Sequence, residues 1–377
     1  MNLKVATCHI SYRFDEIKFN CIRINDAMYA APICSNSRRS SCDMEEKRKI
    51  IVDCDTGSDD AIALILAMLD PEFELVGVTT VNGNHEVALC TDNSLKVVEL
   101  CGKQDTVKVY RGCDLPLAST LMKFLPQAEL MPIREGHNPY PVHPDRLPLP
   151  APVSKEGDIN AVSWLVETLL AADDGEITLV PVGPLTNIGA AMRIDSRIIP
   201  KIREIVLMGG GHQRGNESAA GEFNIWADPE AAEIVLQSGC KVTIVPLDAT
   251  ETAISTHEDA ERLRSLGTPP AIFCADLIDV RIGKSRETEE TGVTAINDAL
   301  AVCAVLHPEV LKNVVHTNVH VDISRGFAYG YTIVDLRDPG WWKEEPNCYF
   351  ALSADRQYFF DYMYRILKED KERRKRA

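Results

Sequence analysis

From Lys49 onward, short apolar runs alternate with longer segments whose apolar positions recur at helical spacing. Ile50-Ile51-Val52 reads as a buried strand, and residues 60–69 as a helix with Ile62, Leu66 and Leu69 on one face. The β-branched run 73–80 predicts a strand, 87–100 a helix and 107–110 a further strand. The alternation continues with a helix at 161–172, a strand at 177–182, a helix at 185–192 and a strand at 205–207. Asp228-Pro229 opens another helix that runs to Gln237, and 242–245 is the next strand. Strands separated by helices of this length imply βαβ units. The expected fold is therefore α/β: a single large doubly wound, mainly parallel sheet with helices on both faces. Such sheets bind ligands outside the carboxyl ends of their strands. Four motifs fall at such ends: Asp53-Cys54-Asp55, Val81-Asn82-Gly83-Asn84, Pro181-Val182-Gly183 and Met208-Gly209-Gly210-Gly211.

Composition narrows the classes of function. Of 377 residues, 45% are hydrophobic and 25% charged, the balance of a globular protein. The 40 basic and 56 acidic residues give a net charge of −16, which argues against binding a phosphate backbone and leaves room for a cation and a neutral small ligand. No apolar run is long enough to span a membrane. The 12 cysteines show no CxxC and no zinc spacing with histidine, so they read as buried thiols in a reducing, cytoplasmic compartment. Residues 1–46 lack an amphipathic period and are expected to form a poorly ordered arm. One large domain then covers 47–370, followed by a charged tail, 371–377. The proline-rich stretch 114–152 reads as a long loop of the kind that is mobile or functional.

The strongest chemical feature is Asp53-Cys54-Asp55-Thr56-Gly57-Ser58-Asp59-Asp60, four aspartates in eight residues directly after a buried strand. Carboxylates sharing one turn repel one another, and a divalent cation resolves the repulsion. An all-oxygen donor set suits Ca2+ or Mg2+. An acidic cap on an exposed turn would account for one or two of these aspartates, not for all four.

This turn resembles the amino-terminal DxDxGxDD signature of the inosine-uridine preferring nucleoside hydrolases, and the resemblance extends over roughly residues 49–364. Further matches follow in order: Thr80-Val81-Asn82-Gly83-Asn84, Val182-Gly183-Pro184-Leu185-Thr186-Asn187, Val206-Leu207-Met208-Gly209-Gly210-Gly211, Gly221-Glu222-Phe223-Asn224 and Asp298. The resemblance implies hydrolysis of the N-glycosidic bond of ribonucleosides by a calcium-activated water. It implies Asp55, Asp60, Asp298 and the Val182 carbonyl as calcium ligands, with Asp55 also the general base. Asp59, Asn84, Met208, Asn216, Glu222, Asn224 and Asp298 correspond to the residues around the ribose, and Asp53 to one that orients the loop from behind the ligands. It also implies a homodimer or homotetramer, with a ribonucleoside and no nucleic acid or membrane as partner.

Two departures concern the base. Many members carry a histidine just before the last calcium-binding aspartate, where it helps to protonate a departing purine; here Asn297 stands in that place. The family's glycine-rich stretch is replaced by Arg134-Glu135-Gly136-His137-Asn138-Pro139-Tyr140-Pro141-Val142-His143, which makes His137 and His143 the substitute acids to consider. Two rival readings remain at this stage. Asp53-Cys54-Asp55-Thr56 imitates the DxDxT of haloacid-dehalogenase-type phosphatases, and Asn297 would suit a homologue that binds nucleosides without turnover.

Overall fold

The computed structural model describes residues 47–118, 143–283, 290–338, 341 and 343–376. The arm at 1–46 and His137 lie outside the described residues. Strands are β1 (Arg48–Cys54), β2 (Phe73–Thr80), β3 (Val109–Arg111), β4 (Ile177–Pro181), β5 (Ile202–Met208), β6 (Val242–Val245), β7 (Ile254–Thr256), β8 (Val293–Ala295), β9 (Leu311–Thr317), β10 (Val319–Val321), β11 (Thr332–Val334) and β12 (Cys348–Ala354). The α-helices are α1 (Ser58–Leu69), α2 (Val87–Leu100), α3 (Ala161–Ala171), α4 (Thr186–Ile194), α5 (Phe223–Ala227), α6 (Pro229–Leu236), α7 (Leu247–Thr250), α8 (His257–Arg264), α9 (Pro269–Ile282), α10 (Asn297–Leu306) and α11 (Arg356–Arg376).

Eight strands form the central sheet in the order β3-β2-β1-β4-β5-β6-β12-β9, parallel throughout except that β9 runs antiparallel to β12. Both faces are buried, and the period-two alternation of each strand feeds two separate cores. Ile50, Val52 and Cys54 of β1 pack with α1, α2, α10 and α11, whereas Ile51 packs on the other side with α3, α4 and α6. The same division holds in β5, where Val206 and Met208 take the first side and Ile205 and Leu207 the second. Each such side chain contributes about 1.5–3 kcal/mol by leaving water, which fixes the register against one-residue slips.

The chain winds outward from β1 through β2 to β3, then returns to place β4 on the other side of β1. That reversal opens a crevice beyond the carboxyl ends of β1 and β4. Asp53 pairs with Pro181 across it, and Val182 N–H donates to the Asp53 carbonyl at 2.8 Å. The expected elements are present with shifted ends: β3 begins two residues later than the 107–110 expectation, and α1 starts at Ser58. The final helix runs unbroken from Arg356 through Arg376. No described helix is long and apolar enough to cross a membrane.

Candidate active site

The acidic turn lies where β1 ends and α1 begins. Gly57 precedes the helix, and Asp60 in its first turn closes it, accepting from Gly57 N–H at 2.9 Å through Oδ2 and from Asp55 N–H at 3.1 Å through Oδ1. α10 packs against α1 and carries Asp298 in its own first turn. Two helix N-termini thus place their positive dipole ends beside Asp59, Asp60 and Asp298.

Asp55 sits between them, buried, with its two oxygens in different surroundings. Oδ2 accepts from Asn84 N–H at 2.6 Å. Oδ1 is buried and has no hydrogen-bond partner among the described residues. Gly83 permits this approach of the β2 loop, because a Cβ there would stand 2.1 Å from Asp55 Oδ2. Behind the turn, Asp53 Oδ1 accepts from Thr79 Oγ1 at 2.5 Å and from Asn187 Nδ2 at 2.8 Å.

Burial governs the ionisation of these groups. It drives the carboxyl of Asp55 well above the usual range, with the Asp60 charge adding to the effect. Burial likewise raises Asp53 to about 7 and Asp60 to about 6. Asp298 is pushed well up by burial and by the charges of Asp59, Asp60 and Asp55. Carboxyls gathered in this way resist ionisation together until a cation joins them.

The remaining expected residues fall around the same crevice, with one exception. Val182 directly follows β4, and its carbonyl accepts from Asn224 Nδ2 at 2.9 Å. The same amide reaches the Met208 carbonyl at 3.1 Å and its Sδ at 3.3 Å. Glu222 caps α5 by accepting from Asn224 N–H and Ile225 N–H, and it also holds Gly210 N–H at 2.7 Å. Burial raises its carboxyl to about 7. Asn84 Nδ2 lies 3.3 Å from Asp60 Oδ2. The exception is Asn216, which is exposed and spends its Oδ1 on Phe223 N–H at 2.9 Å. Asn297 Oδ1 is buried beside Asp298 and has no partner among the described residues.

Asp59 has a neighbour that sequence reasoning missed. Arg281, near the end of α9, donates to Asp59 Oδ1 at 2.9 Å and to Ser58 Oγ at 2.8 Å, with both ion-pair partners buried. No local pattern marks an arginine 222 positions away as the partner of an aspartate. His143 completes this corner, its Nδ1 accepting from Ser58 N–H at 3.2 Å and lying 3.8 Å from Asp59 Oδ1. Burial pushes its imidazole down to about 3, so the ring is neutral at physiological pH.

Two donor sets therefore compete for a cation. Asp59, Asp60 and His143 bring ligand atoms within 4.8 Å of one another. Asp59, however, already faces a guanidinium, and His143 Nδ1 is engaged by a backbone N–H. A second cation beside Arg281 would be repelled. The other candidate set is the oxygen donors of Asp55, Asp60, Asp298 and the Val182 carbonyl: Asp55 Oδ1 is buried with no hydrogen-bond partner among the described residues, and the charges of Asp59, Asp60 and Asp55 all bear on Asp298.

The chain is similar to known proteins over most of its length. The sequence profile described as inosine-uridine preferring nucleoside hydrolase matches residues 50–361. The chain is 35% identical over 293 residues to the inosine-uridine preferring nucleoside hydrolase of Crithidia fasciculata, covering 78% of this chain and 89% of that protein. It is 35% identical over 320 residues to the pyrimidine-specific ribonucleoside hydrolase RihB of Escherichia coli O157:H7 (strain EC4115), covering 84% and 95%. Among solved structures, the purine-preferring ribonucleoside hydrolase from Gardnerella vaginalis superposes with a TM-score of 0.74 at 30% identity, covering 86% of this chain and 99% of that one.

Proposed function

The chain belongs to the inosine-uridine preferring nucleoside hydrolase family, and from that premise we propose how its residues divide the work. The enzyme hydrolyses the N-glycosidic bond of ribonucleosides, yielding ribose and the free base. The proposed cation is calcium, held by Asp55, Asp60, Asp298 and the Val182 carbonyl. Bound there, a divalent ion would supply the means to lower the pKa of a water molecule and fix its place. The observation that carries this reading is Asp55 itself, with one oxygen tied to Asn84 N–H and the other unpartnered among the described residues.

Asp55 acts in this scheme as the general base, its carboxylate taking the proton of the attacking water. Asp59, Asn84, Met208, Glu222, Asn224 and Asp298 surround the sugar, and Asn216, exposed and bonded to Phe223 N–H, is left out of that set. Bond cleavage builds an oxocarbenium-like ribose, which nearby carboxylates and amide oxygens stabilise electrostatically. Arg281 holds Asp59 toward its side of the crevice, and Asp53 braces the turn through Thr79 and Asn187. The match to the nucleoside hydrolase profile over residues 50–361 tells against the phosphatase reading.

The base half differs. Asn297 has no proton to give, and His143 is a neutral ring rather than an imidazolium, so it serves the departing base as an N–H hydrogen-bond donor. His137 is kept as the other candidate. The relatives' names span inosine, uridine, purines and pyrimidines, and the substrate proposed here is a ribonucleoside with a purine or uracil base. A homodimer or homotetramer in a reducing, cytoplasmic compartment is proposed on kinship and on the eight unpaired cysteines among the described residues.

The test is release of reducing sugar from inosine, uridine, guanosine, adenosine and cytidine, with p-nitrophenyl phosphate alongside. Chelation is expected to abolish ribose release and Ca2+ to restore it, with no phosphatase activity. Full activity after exhaustive chelation would remove the metal from the mechanism.

A further inference from the structure

α2 turns a polar face toward the acidic turn and toward the chain that returns across it. Asn93 on that face is fully buried. Its Nδ2 donates to the Thr56 carbonyl at 3.1 Å and to the Asp145 carbonyl at 3.2 Å, while its Oδ1 accepts from Leu147 N–H at 2.9 Å. Both amide hydrogens and the carbonyl oxygen are thereby used. Thr56 directly follows Asp55, and its hydroxyl is bonded to Ser94 Oγ, the next residue of α2, at 2.6 Å. Asp92 pairs with Arg146 at 3.0 Å and with Lys96 at 2.9 Å. Three consecutive residues, Asp145, Arg146 and Leu147, are therefore fastened to one turn of α2.

Two residues before this fastening, His143 lies over the start of α1. A backbone N–H can only donate, so the bond from Ser58 N–H makes Nδ1 the acceptor and leaves the proton of the neutral ring on Nε2. The ring is seated closely. A Cβ at Gly57 would stand 2.2 Å from His143 Nδ1, so no other residue at 57 leaves the ring where it is.

We propose that Asn93 is a positioning residue of this enzyme: by joining the Thr56 carbonyl to the 145–147 chain, it holds His143 in one place and one tautomer over the acidic turn. Asn93 touches no reacting group itself. It ties the backbone beside the general base to the backbone that carries the imidazole, so the two halves of the site keep one relative geometry. The kinetic consequence rests on the role given above to His143; the geometric claim does not. Asn93→Asp is the informative change, because it keeps the shape and turns a carboxylate oxygen toward the carbonyls of Thr56 and Asp145.

The experiment uses the full chain, calcium-loaded and labelled with 15N at histidine. In the wild type, His143 is expected to show Nδ1 in the unprotonated range and Nε2 in the protonated range. In Asn93→Asp the two signals should move toward each other as the tautomer is released. The kcat for inosine should fall about 10–100-fold, the usual cost of losing an orienting partner. In a His143→Ala background the same substitution should cost less than about 3-fold, because the two residues act as one unit. If Asn93→Asp does not fold, Asn93→Ser, which removes the bonds to 145–147 without adding charge, takes its place. A folded variant with an unchanged His143 signature, or equal losses in both backgrounds, would overturn the proposal. Were the wild type to release no ribose, the functional reading would fail while the tautomer comparison still decided this one.

Discussion

Asp55 has two oxygens with unlike partners, and the chemistry follows from that asymmetry. Asn84 N–H holds Oδ2, whereas Oδ1 is buried with no partner among the described residues. A buried carboxylate oxygen left without a donor is costly unless something else meets it. Asp55→Asn keeps the shape and removes the proton acceptor. It is expected to lower kcat for inosine by at least about 10²-fold, the low end for losing a general base. Steady-state kinetics check this, and a near-normal kcat would show that the base lies elsewhere. Asn297 Oδ1 is likewise buried with no hydrogen-bond partner among the described residues. Placing a histidine there supplies a proton for a purine N7, which pyrimidines lack. Asn297→His should therefore raise the inosine-to-uridine ratio of kcat, and an unchanged ratio would move leaving-group protonation to another group.

At the scale of elements, the site is a meeting of two helix N-termini with the ends of β1, β2, β4 and β5. The close approach of the β2 loop depends on Gly83. Gly83→Ala would force a methyl to within 2.1 Å of Asp55 Oδ2, so the carboxylate must turn away. Calcium affinity is expected to fall about 10–100-fold, measured by titration; unchanged affinity would mean that Asp55 is not held from this side. Most of these elements were legible in the sequence for one reason. Parallel strands buried on both faces appear as uninterrupted apolar runs, as Ile50–Val52 and Val206–Leu207 do, and their polar ends stand out. β9 and β12 were not legible. β9 lies at the sheet edge with Lys312, Asn313 and His316 exposed, so its pattern carries no strand period, and its antiparallel pairing with β12 is a long-range choice. The acidic turn was readable because its four carboxylates are contiguous. Arg281 and Asn93 were not, since each acts on residues far along the chain, and an arginine or asparagine in a helix has no local signature of its partner.

Across the whole molecule, the buried carboxyls make stability depend on pH and on metal together. Burial raises Asp53 and Glu222 to about 7 and Asp60 to about 6, against about 4 in an unfolded chain. Between those values the folded protein retains protons that the unfolded chain has lost. Their contribution to stability is present below about pH 4 and is lost as the pH rises through about 6–7. In chelator, the Tm should therefore fall between pH 5 and pH 8. If the proposed calcium binds the ionised carboxylates of the native state, the Tm gain on adding it should grow over the same range. A gain independent of pH would contradict this.

The proposed cation belongs to Asp55, Asp60, Asp298 and the Val182 carbonyl rather than to the neighbouring group of Asp59, Asp60 and His143. Calorimetric titration of Ca2+ into the metal-free wild type, Asp298→Ala and His143→Ala separates them in one series. The prediction is one site per chain that survives in His143→Ala and disappears in Asp298→Ala. Loss of binding in His143→Ala, with binding retained in Asp298→Ala, would contradict it.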